Sequence, residues 1–175
     1  MSDNFSLIIK NGSCYIDGKL TKTDVGLSGN KIKKIGKIEL NSVKVYDATD
    51  KVVLPGIIDT QVHFREPGST DAEDLESGRR AAVLGGVTSL FEMPNTNPPT
   101  SNLVEFDKKL QAAKNRMHSN YAFYFGATPD NADQLSKLKN LKGCCGVKLF
   151  AGSSTGKLLV DKEADIEKVI SNSDR

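Results

Sequence analysis

Short runs of alternating apolar and polar residues fill the first fifty positions of the chain. Strand-type runs occur at five places, separated by glycine and asparagine: Ser6–Lys10, Ser13–Ile16, Thr23–Leu27, Lys31–Ile35 and Val43–Asp47. Strands of this length and spacing are typical of a small antiparallel sheet or half of a sandwich. We therefore predict a small β-sandwich-like domain over residues 1–54.

After Pro55-Gly56 the pattern changes to longer segments in which strands and helices alternate. The predicted strands are Ile57–Phe64, Val87–Met93, Tyr121–Ala127 and Gly146–Phe150, and the predicted helices are Asp71–Leu84, Asn102–Met117, Asn131–Leu141 and Lys162–Ser171. This alternation predicts an α/β fold with four βα units and a parallel sheet, open or closed into a barrel. A (β/α)8 TIM barrel needs about 250 residues. Four units in residues 55–175 therefore amount to half of one.

Polar side chains stand at the C-terminal ends of these predicted strands, where parallel α/β folds carry their chemistry. Gln61 and His63 are two residues apart on one strand, so they share a face, and Arg65 follows them. Asn95 follows the second strand, and Lys148 interrupts the apolar fourth strand. A lone histidine is often structural and a lysine can extend to the surface. Such groups are nevertheless costly to bury unless they bind a ligand or one another.

The overall composition disfavours several classes of function. The chain has 24 basic and 22 acidic residues, a net charge of +2, and no long basic run, so we expect neither nucleic acid nor an anionic membrane as a partner. No apolar run reaches the roughly 18 residues of a membrane span, and the first ten residues lack a signal-peptide pattern. The three cysteines, Cys14, Cys144 and Cys145, are sparse and odd in number. Reduced thiols and a cytoplasmic location are expected.

Two blocks of sequence carry a family resemblance. The first is Val53–Asp59 continued by His63–Gly68, and the second combines Gly85–Thr88 with Met93–Pro99. Together they resemble dihydroorotases of the long, bacterial-type branch of the amidohydrolase superfamily. The resemblance implies a (β/α)8 barrel, of which residues 55–175 are the first half, joined to a small β domain that both chain ends build. It also implies reversible cyclisation of N-carbamoyl-L-aspartate to L-dihydroorotate in pyrimidine biosynthesis.

The same resemblance implies roles for individual residues. One or two zinc ions activate water in the family. His63 matches the second histidine of its His-x-His metal motif, and Lys148 falls where many members carry a carboxylated, metal-bridging lysine. Arg65 and Asn95 match the residues that hold the substrate carboxylate, for which a guanidinium fork is well shaped.

Two departures from the family pattern change what we expect of this chain. Gln61 replaces the first histidine of His-x-His, and glutamine is a poor zinc ligand beside imidazole. The family also takes two histidines and a catalytic aspartate from later strands, whereas this chain has only His63 and His118. A catalytic zinc usually has three protein ligands. We therefore expect negligible turnover by residues 1–175 alone, and either self-association or pairing with a second chain that carries the rest of the barrel.

Two alternative functions stay open. An allantoinase or dihydropyrimidinase belongs to the same superfamily, but similar allantoinases have asparagine at the position of Arg65, and hydantoin-type substrates lack the ring carboxylate. An inactive scaffold that binds aspartate transcarbamoylase or another partner would suit Gln61 and the missing ligands. The joint presence of Arg65, Asn95 and Lys148 disfavours this non-enzymatic alternative.

Overall fold

The chain divides after Pro55 into two units, Met1–Pro55 and Gly56–Arg175. The computed structural model describes residues 4–39, 44–154 and 157–173. Each unit has a sheet and a cluster of buried apolar side chains of its own. In the ranges described, no helix has the length and apolar character needed to cross a membrane.

The first unit contains one five-stranded sheet. Its strands are β1 (Leu7–Ile16), β2 (Lys19–Ser28), β3 (Lys31–Ile35), β4 (Lys44–Asp47) and β5 (Val52–Val53). The order is β3-β2-β1-β4, with β5 also beside β1. β2 is antiparallel to β1 and β3, whereas β4 and β5 are parallel to β1. The sheet is therefore mixed, whereas the sequence predicts a small antiparallel sheet or half of a sandwich. The second layer of a sandwich stays a prediction.

Turn geometry explains these differences. Asp17 and Gly18 have φ of 47° and 81°, and Gly29 has φ of 58°, which suits the tight turns that join antiparallel neighbours. Parallel neighbours cannot be joined by such a turn, and β2 and β3 lie between β1 and β4 along the chain. A register shift between Ile9 and Gly12 keeps β1 as one strand where the sequence predicts two. Val43, the start of the predicted fifth strand, lies outside the described residues.

The second unit alternates strands and helices as predicted. Its elements are β6 (Ile57–Val62), α1 (Leu75–Leu84), β7 (Val87–Glu92), α2 (Leu103–Ala113), β8 (Asn120–Gly126), a 3₁₀ helix (Ala132–Asn140), β9 (Cys144–Lys148) and α3 (Glu163–Ser171). The sheet order is β6-β7-β8-β9, and every pair is parallel. Four βα units and a parallel sheet are thus confirmed.

Helix boundaries depart from the predictions where caps decide them. Asp74 accepts a hydrogen bond from the Ser77 backbone N–H at 2.7 Å within a capping box, so α1 begins at Leu75 and not at Asp71. Asn102 likewise accepts from the Glu105 N–H at 2.9 Å and starts α2. α2 ends at Ala113, before Asn115, whose φ is 61°. The third predicted helix is a 3₁₀ helix.

Aromatic and aliphatic side chains fill the space between the parallel sheet and its helices. Phe106 of α2 lies 6.4 Å from Phe123 and 6.3 Å from Phe125, measured between ring centroids. Leu75 of α1 and Leu90 of β7 are fully buried in the same cluster. This cluster holds α1 and α2 against the strands whose C-terminal ends carry the polar residues.

The two ends of α1 supply a matched stability test. Leu75 is 0% exposed and Leu84 is 89% exposed. Leu75→Ala should lower the free energy of unfolding by about 2–5 kcal/mol, because it leaves a cavity in the core. Leu84→Ala should change it by no more than about 0.5 kcal/mol. Urea unfolding of both variants measures the difference, and equal losses would show that α1 does not pack as described.

Candidate functional site

The ends of β6 and β7 bring two predicted site residues into direct contact. Nδ1 of His63 lies 2.8 Å from Oδ1 of Asn95. The backbone N–H of Met93 donates to the Val62 carbonyl at 2.9 Å, which extends the pairing of the two strands to the residue before His63 and the second residue before Asn95. The hydrogen bond therefore follows from adjacent parallel strands that end at the same level.

This hydrogen bond selects one tautomer of the imidazole. An amide oxygen only accepts, so Nδ1 of a neutral His63 carries the proton and donates it to Asn95. Nε2 then keeps a free lone pair. A second-sphere hydrogen bond of this kind is what orients histidine when it is a metal ligand.

The surroundings also favour the neutral imidazole. Burial is the main cause that lowers the pKa of His63 below its usual 6.5, and the positive charges of Arg65, Lys109 and Lys148 lower it further. The hydrogen bond to Asn95 opposes these effects and raises the pKa. The imidazole is therefore unprotonated near neutral pH and can use Nε2 to bind a ligand.

Arg65 and Asn95 line one cleft of about 340 Å³, together with Pro67, Ser69, Thr96, Asn97 and Pro99. No acidic side chain is among these lining residues, so the cleft carries a net positive charge. Arg65 has φ of 57°, in the left-handed region that bulky residues seldom adopt. A positively charged cleft with amide and hydroxyl groups is suited to an anionic or strongly polar ligand.

Hydrogen bonds from neighbouring elements hold the loop that carries Arg65. Glu66 accepts from both terminal nitrogens of Arg116, at 2.7 and 3.0 Å, and from the Leu75 N–H at 2.9 Å. These bonds are the main reason that the pKa of Glu66 is lowered. The Asn97 N–H donates to the Pro67 carbonyl at 3.0 Å, which joins the loops after β6 and β7.

Gln61 and Lys148 form no hydrogen bond with this pair among the described residues. Gln61 is exposed and lines a second cleft, of about 380 Å³, with Asp59 and His63. Lys148, the last residue of β9, places Nζ 5.0 Å from the centroid of the Phe150 ring. Its charge acts on the pKa of His63, but the structure gives no direct contact between the two side chains among the described residues.

A buried ion pair behind the site was missed by the sequence analysis. Nζ of Lys109 lies 3.3 Å from Oε1 of Glu92, with side-chain exposures of 1% and 0%. Burial raises the pKa of Glu92 to about 7, while the attraction of Lys109 opposes the rise. One signal was present in the sequence, because Lys109 shares the inner face of α2 with Phe106 and Ala113 at helical spacing.

The described residues fit a zinc site only in part. His63 offers Nε2, Gln61 offers a weak amide oxygen, and Lys148 would serve only if carboxylated. Within the described ranges, no three His, Cys, Asp or Glu side chains converge to hold a metal ion. The zinc ligands and the substrate-binding roles of Arg65 and Asn95 stay predictions.

Comparison with known proteins supplies the wider context for this geometry. A sequence model of the amidohydrolase family matches residues 52–169. Allantoinases from Salmonella choleraesuis strain SC-B67 and Escherichia coli strain SMS-3-5 are each 36% identical over 151 residues, which is 86% of this chain and 33% of each relative. The chain therefore spans about a third of the length of the curated relatives it matches.

Solved structures of similar enzymes confirm the fold class. The L-hydantoinase (dihydropyrimidinase) from Arthrobacter aurescens superposes with a TM-score of 0.82 and 25% identity, over 95% of this chain and 38% of that one. The D-hydantoinase from Thermus sp. gives a TM-score of 0.76 and 27% identity, over 95% and 37%. The second unit is thus part of an amidohydrolase-type TIM barrel. These relatives support the superfamily that we predicted and do not support dihydroorotase in particular.

Opposite shifts in the pKa of His63 are expected from two substitutions. Arg65→Gln removes a repelling charge and should raise that pKa, whereas Asn95→Ala removes the stabilising hydrogen bond and should lower it. NMR titration of the imidazole signals measures both shifts, with His118 as the internal reference in each spectrum. Shifts of the same sign in the two variants would contradict the described geometry.

Proposed function

The chain belongs to the amidohydrolase family, and on that premise we propose that it forms part of a hydrolase that opens the ring of a cyclic ureide. The observation that supports this most is the contact between His63 and Asn95 beside the cleft of Arg65. It combines a neutral imidazole, able to bind a metal through Nε2, with donors that can hold a polar ring. One imidazole does not complete such a site, because a catalytic zinc usually has three protein ligands.

The reaction of this class is hydrolysis of a ring amide. The oxygen of water bonds to the carbonyl carbon, the ring C–N bond breaks, and the nitrogen leaves with a proton. A divalent metal, often zinc in this superfamily, activates water and polarises the carbonyl when it is bound. In this chain, His63 would hold the metal, and Arg65 and Asn95 would orient the ring.

The comparisons favour an uncharged ring as the substrate. The relatives in sequence are named allantoinases, and the similar structures are named hydantoinases or dihydropyrimidinases. Rings of the hydantoin type have no carboxylate, so their recognition would depend on hydrogen bonds to ring N–H and C=O groups. Asn95, Thr96 and Asn97 offer both donors and acceptors in the cleft.

One observation favours dihydroorotate as a second candidate. Arg65 and Asn95 lie in the same cleft, and none of the described residues that line it is acidic. A guanidinium group beside an amide suits the carboxylate of dihydroorotate or N-carbamoyl-L-aspartate. An uncharged hydantoin would leave this charge without a partner.

The scaffold alternative, with aspartate transcarbamoylase or another partner, requires no ligand in the cleft.

Ligand binding by the Arg65→Gln variant separates these candidates. If the ligand carries a carboxylate held by Arg65, the substitution should weaken binding of dihydroorotate by about 10–100-fold, the equivalent of one charge-assisted hydrogen bond. Binding of uncharged hydantoin should then change little. Isothermal titration calorimetry on the whole chain measures both affinities.

The matched control is Arg80→Gln, because Arg80 is exposed on α1 and pairs with Glu76. Tighter binding of hydantoin than of dihydroorotate, unaffected by Arg65→Gln, would favour the allantoinase and hydantoinase type. Absence of binding for both rings would contradict the proposed function and favour the scaffold alternative.

A further inference from the structure

The buried Glu92–Lys109 pair lies between the core and the site. Glu92 is the last residue of β7, two positions after the buried Leu90, and Lys109 projects from the inner face of α2. The Lys109 ammonium group lies 3.3 Å from the Glu92 carboxylate and 5.3 Å from the centroid of the Phe123 ring. Both side chains are almost completely buried, so this is a buried ion pair and not a surface one.

A hydrogen bond from Lys109 reaches the backbone that leads to the site. Nζ of Lys109 donates to the Met93 carbonyl at 3.3 Å. The N–H of the same residue donates to the Val62 carbonyl at 2.9 Å. Both backbone groups of Met93 are therefore held, one by the neighbouring strand and the other by the buried lysine. Asn95 follows two residues later, and His63 follows Val62 directly.

Stability alone is a weak explanation for a pair of this kind. The cost of removing two charges from water commonly offsets their attraction, and well-packed apolar residues often replace such pairs without loss of stability. Here the backbone N–H of Phe64 also acts on the Glu92 carboxylate, but neither carboxylate oxygen has a hydrogen-bond partner of good geometry among the described residues. What apolar replacements could not supply is the hydrogen bond to the Met93 carbonyl.

We propose that Glu92 and Lys109 are positioning residues, which fix the His63–Asn95 hydrogen bond by holding the Met93 peptide in place. Glu92 keeps the ammonium group of Lys109 at the end of β7, and Lys109 holds the Met93 carbonyl. The backbone that enters Pro94 and Asn95 is then fixed relative to the end of β6. This assignment goes beyond the proposed function, because it concerns the free chain and requires neither a metal nor a substrate.

The decisive variant is the double substitution Glu92→Leu/Lys109→Met. Lys109→Met alone would leave a buried carboxylate without compensation, so its loss of stability would not be informative. The double variant should keep a cooperative thermal transition. It should lose the preference of His63 for the tautomer with Nδ1 protonated, because Asn95 is no longer held opposite the ring.

Imidazole ¹⁵N NMR spectra of the whole chain measure the tautomer. Asn95→Ala defines the signal expected when the hydrogen bond is absent. Lys108→Met is the matched control, since Lys108 lies on the exposed face of α2 and pairs with Glu105, and it should retain the wild-type signal. A shift of the double variant to the Asn95→Ala signal, with folding intact, supports the proposal.

Two results would overturn it. One is a folded double variant with the wild-type His63 signal, which would show that the pair does not position the site. The other is a double variant without a cooperative transition, which would assign the pair to the stability of the whole sheet. Neither result would bear on ring binding, so this test can fail independently of the proposed function.

Discussion

The hydrogen bonds of the Met93 backbone hold the end of the parallel sheet that carries the polar site residues. Its N–H bonds to Val62 of β6 and its carbonyl accepts from Lys109 of α2. Met93 thus connects the ends of β6 and β7 to α2, close in sequence to His63 and Asn95. In a parallel sheet the ends of adjacent strands lie at one edge, but side-chain contact at 2.8 Å also requires that the backbones be held in register. The Met93 hydrogen bonds supply that constraint.

A second set of contacts fixes the loops beyond the strands. Glu66 joins the loop after β6 to Arg116 and to the start of α1. Gly68 has φ of 114°, and a side chain there would meet Asn97 at 2.6 Å, so only glycine allows the two loops to lie this close. The cleft of Arg65 is therefore built by loops that are tied to rigid elements. Such support keeps a binding site in one geometry without a ligand.

Much of the second unit could be predicted from the chain because apolar strands and helical spacing are local signals. The strand-end rule also places His63, Arg65, Asn95 and Lys148 at one end of the sheet, but it does not predict which of them are in contact, as His63 and Asn95 are. Helix starts were missed where a cap decided them, as at Asp74, and the two-residue strand Val52–Val53 is too short to leave a pattern. Strand direction in the first unit depends on which strands pair across the sheet, and a local pattern does not record that pairing. The burial of Lys109 is hard to predict from the sequence, because a lysine in a helix is usually solvated and its partner Glu92 lies in another element.

We propose that the loops after β6 and β7 together form one binding site for a cyclic ureide. A titration of the ¹⁵N-labelled chain with dihydroorotate and with hydantoin, followed through the backbone amide signals, tests this proposal. The largest shifts for at least one ring should occur at Arg65, Ser69, Thr96 and Asn97. Amides around the separate cleft of Lys10, Lys22 and Lys37 in the first unit should stay unchanged. If the largest shifts occurred in that first unit, or if neither ring caused shifts, the loops after β6 and β7 would not be the binding site.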